Sequence, residues 1–178
     1  FQVVFLKNQN LPPIDVGVGL NTGSMSVGNM GSDTRFCYTV MGDAVNLSAR
    51  LEGLTKEYGI KILISEFTVG NFKLKSHFYR DLDLIRVKGK NEPVRVFQLM
   101  MPNFLNSEER IRNFIKIFEE ARIAYSKQEW TEAKNLFLKC LTIKPDDEPS
   151  RLFIERIKNF ENEPKIENWD GVYTFKHK

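Results

Sequence analysis

Asn46 and Arg50 stand four residues apart in DAVNLSARLE, a stretch with helical periodicity. Side chains at i and i+4 share one face of a helix, so an amide and a guanidinium are presented together. Arg is a forked cation suited to phosphate oxygens. Asn is a neutral donor and acceptor that can orient a hydroxyl or a bridging oxygen. The pair borders the apolar stripe of Ala44, Leu47, Leu51 and Leu54 rather than opposing it. That is the arrangement expected where a helix lines a cleft or an interface. An ordinary surface Asn and Arg fit the same pattern, and spacing alone leaves that alternative open. Thr39, in the strand-like segment just upstream, carries a hydroxyl able to meet a purine edge. A Thr chosen for β-propensity fits there equally. Lys88 and Lys90 stand in a glycine turn, where a lysine can reach a phosphate or simply be solvated. The glycine-rich residues 28–33 resemble a phosphate cradle only loosely. No Gly-Lys-Ser/Thr ending follows them, which excludes a P-loop. His77 and His177 have no partner at metal or triad spacing and are read as structural.

The elements that position these residues follow from periodicity and punctuation. Residues 1–9 read as the end of a helix, closed by Pro12-Pro13. Residues 14–20 alternate as a strand, and Gly17 and Gly19 in it indicate close backbone approach on one face. A short strand at 24–27, a turn at 28–33 and a returning strand at 35–41 form a long hairpin. The Asn46/Arg50 helix is expected over 43–57, with Asp43 as its cap and Gly59 as its stop. Further strands are expected at 60–64, 78–87 and 94–99, with a short helix at 65–71 capped by Ser65. Strands and helices in this order indicate an α+β fold. After Pro102 the strand signal ends, and helices are expected at 107–127, 130–143 and 147–160. Ser107 with Glu108 opens the first of these, and Ile111, Phe114, Ile115, Phe118 and Arg122 mark a stripe along it. Residues 164–178 read as an extended tail whose Trp169 packs against something. The domain reading is therefore 1–101 and 102–178.

Composition bounds the function class. The net charge of +3 is spread over interleaved acids and bases rather than clustered, which argues against nucleic acid as partner. No run of about 18 apolar residues is present, so no membrane segment is expected in this stretch. Two distant cysteines, Cys37 and Cys140, make no disulfide framework or metal spacing and favour a reducing, cytoplasmic setting. A chain starting at Phe1 is read as part of a longer polypeptide.

Taken together, GLNTGSMSVGNMGSDTRFCYTVMGDAVNLSARLE resembles the second half of the class III nucleotidyl cyclase catalytic domain. The resemblance covers residues 12–100 in five ordered blocks: an INTG-like turn, VGNxGS, YTVxGD, VNxxxR and VKGK. The helices beyond it resemble a tetratricopeptide-like pair followed by a WDGV motif, as in bacterial adenylate cyclases of this class. The resemblance implies the C-terminal part of a ferredoxin-like cyclase fold with a small all-helical tail. It implies conversion of ATP to 3′,5′-cyclic AMP and pyrophosphate by a homodimer with its sites at the interface, in bacterial signal transduction. Two Mg2+ or Mn2+ ions, held by two aspartates of the family's first half, are part of that chemistry. Carried over by motif, Asn46 would orient the ribose, Arg50 would stabilise charge on the α-phosphate, Lys88 would meet the terminal phosphates, and Thr39 would read the purine. Thr at that position looks like the adenylate type. The hairpin of 28–41 would reach across to the partner.

The first-half aspartates and the purine-reading lysine are not in this sequence, and Asp15, Asp33 and Asp43 do not match their motifs. This stretch alone is therefore expected to be inactive, and family members of its kind are often membrane-anchored through upstream segments. The competing reading is a degenerate cyclase-like regulatory domain that binds a nucleotide or a partner without turnover. Retention of Thr39, Asn46, Arg50 and Lys88 together favours the enzyme.

Overall fold

A computed structural model describes residues 16–32, 35–70, 79–87, 92–100, 107–160 and 165–175. Along the chain run β1 (Val18–Leu20), β2 (Ser26–Ser32), β3 (Arg35–Met41), α1 (Asp43–Tyr58), β4 (Ile62–Ser65), α2 (Glu66–Val69), β5 (Tyr79–Arg86) and β6 (Val94–Leu99). The tail supplies α3 (Glu108–Ser126), α4 (Trp130–Ile143), α5 (Glu148–Phe160) and β7 (Tyr173–Thr174). The fold is α+β. Five strands form one sheet in the order β1-β4-β6-β5-β7, and β2 and β3 form a separate two-stranded ribbon. Strand β1 runs parallel to β4, and β7 parallel to β5; the β4–β6 and β5–β6 pairs are antiparallel. The helix-end reading at 1–9 lies outside the described residues.

Sheet register decides which side chains are buried. Leu63 faces Gln98, Ser65 faces Val96 and Ile85 faces Val94, and all six side chains are buried. In β5 the register shifts between Asp81 and Asp83. This bulge spends Leu82 as an extra residue and turns Asp83 onto the same face as Arg80. Strict alternation would have sent Asp83 to the other side.

Helix α1 lies on β1 because β1 has no side chains there. A Cβ at Gly19 would fall 2.3 Å from Ser48 O and 2.4 Å from Glu52 N, and one at Gly17 would fall 2.1 Å from Thr55 Oγ1. The glycines therefore mark a close backbone approach, as their pattern suggests. Leu47, Leu51 and Tyr58 of α1 join Leu63, Ile85, Val94 and Val96 of the sheet in a core that continues into Phe114, Phe118, Phe137 and Phe153 of the tail. The core thus runs unbroken past residue 101.

Three sequence expectations change. Asp43 is the first helical residue rather than the cap. Gly42 occupies the cap position at φ 153° and ψ 164°, without a side-chain bond. Only glycine tolerates that corner between β3 and α1. Of the glycine-rich turn expected at 28–33, residues 28–32 are instead strand: β2 continues to Ser32, paired with Arg35. It can do so because Gly31, at φ 145°, lies so close to Arg35 that a Cβ would overlap its carbonyl oxygen. The extended tail adds a strand, with Ile85 facing Tyr173 and Arg86 facing Thr174. Trp169 packs as expected: its Nε1–H donates to Ser126 O (3.1 Å), and its ring lies 5.7 Å from both Tyr125 and Trp130. Helices α3, α4 and α5 match the expected bounds within two residues, and the stripe of α3, Arg122 included, is buried.

Candidate active site on helix α1

The N-terminal half of α1 is tied to the end of β1 and the start of α2. Asn21 Nδ2 donates to Ala44 O (2.9 Å), and Ser65 Oγ donates to Asn21 Oδ1 (2.6 Å). Thr68 N–H donates to Ser65 Oγ (3.3 Å), and the Thr22 and Thr68 hydroxyls share a hydrogen bond at 3.1 Å. Ser48 Oγ donates to Gly19 O (2.8 Å). In the sequence Asn21 and Thr22 mark only a turn and Ser65 only a cap. Their role in seating α1 depends on a β1–β4 pairing that local sequence does not display.

On the helix so seated, Asn46 is solvent-exposed and Arg50 is half-buried one turn later. The Arg50 Nη1 is fully buried and has no hydrogen-bond partner among the described residues. A buried guanidinium nitrogen without an acceptor is costly, and a phosphate oxygen is an acceptor that would satisfy it. Thr39 sits in β3 opposite Gly28, half-buried, three residues before the Gly42 corner. The fold thus places Asn46 and Arg50 on one helix face, with Thr39 on the ribbon that leads into it. Lys88 and Lys90 lie outside the described residues, as do His77 and His177.

The ribbon stands apart from the main sheet. It exposes Val27, Phe36, Tyr38, Val40 and Met41, with Phe36 68% and Tyr38 74% accessible. Patches of this kind mark interaction sites. Among the described residues no three His, Cys, Asp or Glu side chains converge into a possible metal site. These residues do not by themselves fit the Mg2+ or Mn2+ ions that the resemblance implies. No described helix is long and apolar enough to cross a membrane.

The C-terminal end of α1 meets buried charges, of which only Arg122 has a place in the sequence reading; Arg80, Asp83 and Arg156 carry no sequence signal. Tyr58 O–H donates to Asp83 Oδ2 (2.6 Å), which also accepts from Arg156 Nη1 of α5 (2.6 Å). Arg122 Nη1 of α3 forms an ion pair with Asp83 Oδ1 at 3.0 Å, off the hydrogen-bond direction. Burial, reinforced by the Asp83 charge, pushes the Tyr58 hydroxyl well above the usual phenol range, so it stays a donor. Burial opposes the Arg156 charge, but Asp83 and then Tyr58 outweigh it and hold the guanidinium above its ordinary range. Nearby, Arg80 is fully buried. It donates to Gln98 Oε1 (2.8 Å) and to both Asp147 oxygens (3.1 and 2.8 Å), with its guanidinium 4.1 Å from the Phe118 ring centre.

Residues 4–101 match the family model of the adenylate and guanylate cyclase catalytic domain. The chain belongs to that family. This cyclase-family chain is 32% identical over 150 residues to the terminal-differentiation-specific adenylate cyclase of Dictyostelium discoideum. That match takes in 80% of the chain, so it extends beyond residue 101, but only 7% of the relative. An adenylate cyclase of Anabaena cylindrica is 43% identical over 91 residues, covering 50% of the chain and 18% of the relative. Among solved structures, the adenylyl cyclase CyaB from P. aeruginosa is 32% identical with a TM-score of 0.45, over 55% of this chain and 49% of that one. The chain therefore spans less than a fifth of the length of these two relatives.

Proposed function

We propose that the polypeptide containing this chain is an adenylate cyclase, forming 3′,5′-cyclic AMP and pyrophosphate from ATP. The observation that carries the reading is Arg50: a buried guanidinium nitrogen with no acceptor among the described residues, one turn from exposed Asn46, on the helix of a cyclase-family domain. In this reading the Asn46 amide holds the ribose so that its 3′-hydroxyl faces the α-phosphate. Arg50 binds the oxygen on which charge grows as the new bond forms. A preformed donor in a site shielded from water stabilises that charge more than water does. Thr39 Oγ1 meets the adenine edge, and Lys88 meets the terminal phosphates. Bound Mg2+ or Mn2+ would supply activation of the hydroxyl and neutralisation of the phosphates, with ligands outside the residues described here.

The exposed apolar ribbon fits a role as the arm that contacts a second copy, making the enzyme a homodimer. A bacterial signalling role and a cytoplasmic location of the domain belong to the same reading. So does a division at 101/102 between the catalytic unit and a helical tail that caps the inner face of the sheet. Incubating the whole polypeptide with ATP or GTP and either metal, then resolving the products by chromatography, tests the proposal. Cyclic AMP from ATP supports it. Cyclic GMP refutes the reading of Thr39. A folded dimer without cyclic product refutes the enzyme reading in favour of a regulatory nucleotide-binding domain.

A further inference from the structure

We infer that Tyr58 and Arg156 are positioning residues for the α1 site, so that the helical tail sets the register in which Asn46 and Arg50 are held. The inference rests on the cyclase reading for its catalytic consequence, but its structural core stands on the buried cluster around Asp83.

Three helices converge on that one carboxylate. Tyr58 of α1 and Arg156 of α5 both donate to Oδ2 at 2.6 Å, and Arg122 of α3 stands 3.0 Å from Oδ1. Oδ1 also accepts from Leu84 N–H (2.8 Å), so Asp83 is fixed to its own strand. The carboxylate is fully buried, and the β5 bulge is what turns it inward. A buried carboxylate on this face is destabilising unless its charge is matched. The two cations that match it both come from beyond residue 101. The tail therefore completes an electrostatic unit that the catalytic sheet leaves unbalanced.

Tyr58 connects that unit to the site. It is the last residue of α1, eight residues after Arg50, about 12 Å along the same helix. A helix transmits an axial shift along its length. Beneath α1 lies the bare backbone of Gly17 and Gly19, which sets the height of the helix. Leu47 and Leu51 pack into the core, and directional ties at the two ends add to that packing in fixing the axial position of the helix. Asn21 and Ser48 form the front tie, and Tyr58–Asp83 forms the rear one. The helix end touches α5 a second time: Gly59, at φ 61°, packs so that a Cβ there would lie 2.7 Å from Glu148 Cβ. Arg156 is in turn held by its stack 3.6 Å from the Tyr173 ring centre, on the strand the tail adds to the sheet.

Tyr58→Phe keeps the ring and removes only the donor. A hydrogen bond to a charged group is worth roughly ten- to a hundredfold in an equilibrium. In the whole polypeptide, Tyr58→Phe is expected to speed hydrogen exchange of the α1 amides, the Asn46–Arg50 turn included, by about tenfold or more. It is expected to lower kcat by about tenfold with little change in the KM for ATP. In an Arg50→Ala background it should lower kcat by less than it does in wild type, because part of its effect runs through the Arg50 contact. Arg156→Lys, which keeps the charge but loses the fork, should fall between wild type and Arg156→Met. Unchanged α1 exchange in Tyr58→Phe overturns the inference. So does a kcat loss that multiplies with that of Arg50→Ala, or a lowered Tm with normal kcat well below it. If the wild-type polypeptide makes no cyclic nucleotide, the functional reading fails by itself, and the exchange result alone decides whether the tail holds α1.

Discussion

Replacing Gly19 by alanine tests whether the height of α1 above the sheet sets the activity. The added Cβ would lie 2.3 Å from Ser48 O, 2.4 Å from Glu52 N and 2.9 Å from the Leu51 carbonyl carbon. All three are backbone atoms of the helix, so no side chain can swing aside. Ordinary contact requires α1 to rise by roughly 1 Å, and overpacking of this kind costs about 1–3 kcal/mol. The same displacement carries Asn46 and Arg50 away from their positions, and a misplacement of about 1 Å can cost roughly a hundredfold in rate. The Ser48–Gly19 hydrogen bond, now 2.8 Å, is stretched in the process. Thermal unfolding and steady-state kinetics of the whole polypeptide carrying Gly19→Ala should show a lowered Tm and a kcat down by about two orders of magnitude. Near-wild-type values of both would refute the claim that the glycine track seats the helix. A lowered Tm with normal kcat would refute the link from seating to catalysis.

Three more outcomes follow from other parts of the molecule. Phe36→Asp, on the exposed face of the ribbon, should shift the whole polypeptide from dimer to monomer in analytical ultracentrifugation and abolish turnover; an intact, active dimer would remove the ribbon from the interface. Cys37 is exposed, whereas burial pushes the Cys140 thiol up to about 12. At pH 8 an alkylating reagent should therefore modify Cys37 and spare Cys140 in the native chain, which peptide mapping checks. Burial, then the Asp81 charge, raises the Glu119 carboxyl above its ordinary value. The native state holds that proton to higher pH than the unfolded chain, so Glu119 contributes a loss of stability as pH rises from the unfolded pKa through the native one. Glu119→Gln should raise Tm at pH 7 and lose its advantage near pH 4, below the unfolded pKa; an equal Tm gain at both would contradict the assignment.

Where sequence and structure agree, the signal was local. Leu47 and Leu51 declare α1 by spacing, Gly59 ends it, and Ser65 and Ser107 cap the helices that follow them. Gly17 and Gly19 announced a close approach, though not that the approaching element was α1. The differences arise where partners distant in the chain decide. Residues 28–32 carry turn chemistry, yet pairing with 35–39 holds them extended. In YRDLDLIR, Asp81 and Asp83 alternate with Leu82 and Leu84 as if on the polar face of a strand, and nothing local reveals a bulge at Leu82 that buries Asp83. Arg80 and Arg156 look like solvated charges until Asp147 and Asp83 are seen beside them. The pair Asn46 and Arg50 was legible as one helix face. That Arg50 Nη1 is buried with no acceptor among the described residues depends on packing and was not.

In the proposed function Arg50 works on the transition state of nucleotide cyclisation. The most direct measurement is steady-state cyclic AMP formation from ATP by the whole polypeptide, wild type against Arg50→Ala. The kcat should fall about a hundred- to a thousandfold, the usual consequence of removing one preformed donor, with the KM for ATP close to wild type. A wild-type kcat in Arg50→Ala, or a loss confined to KM, would contradict it.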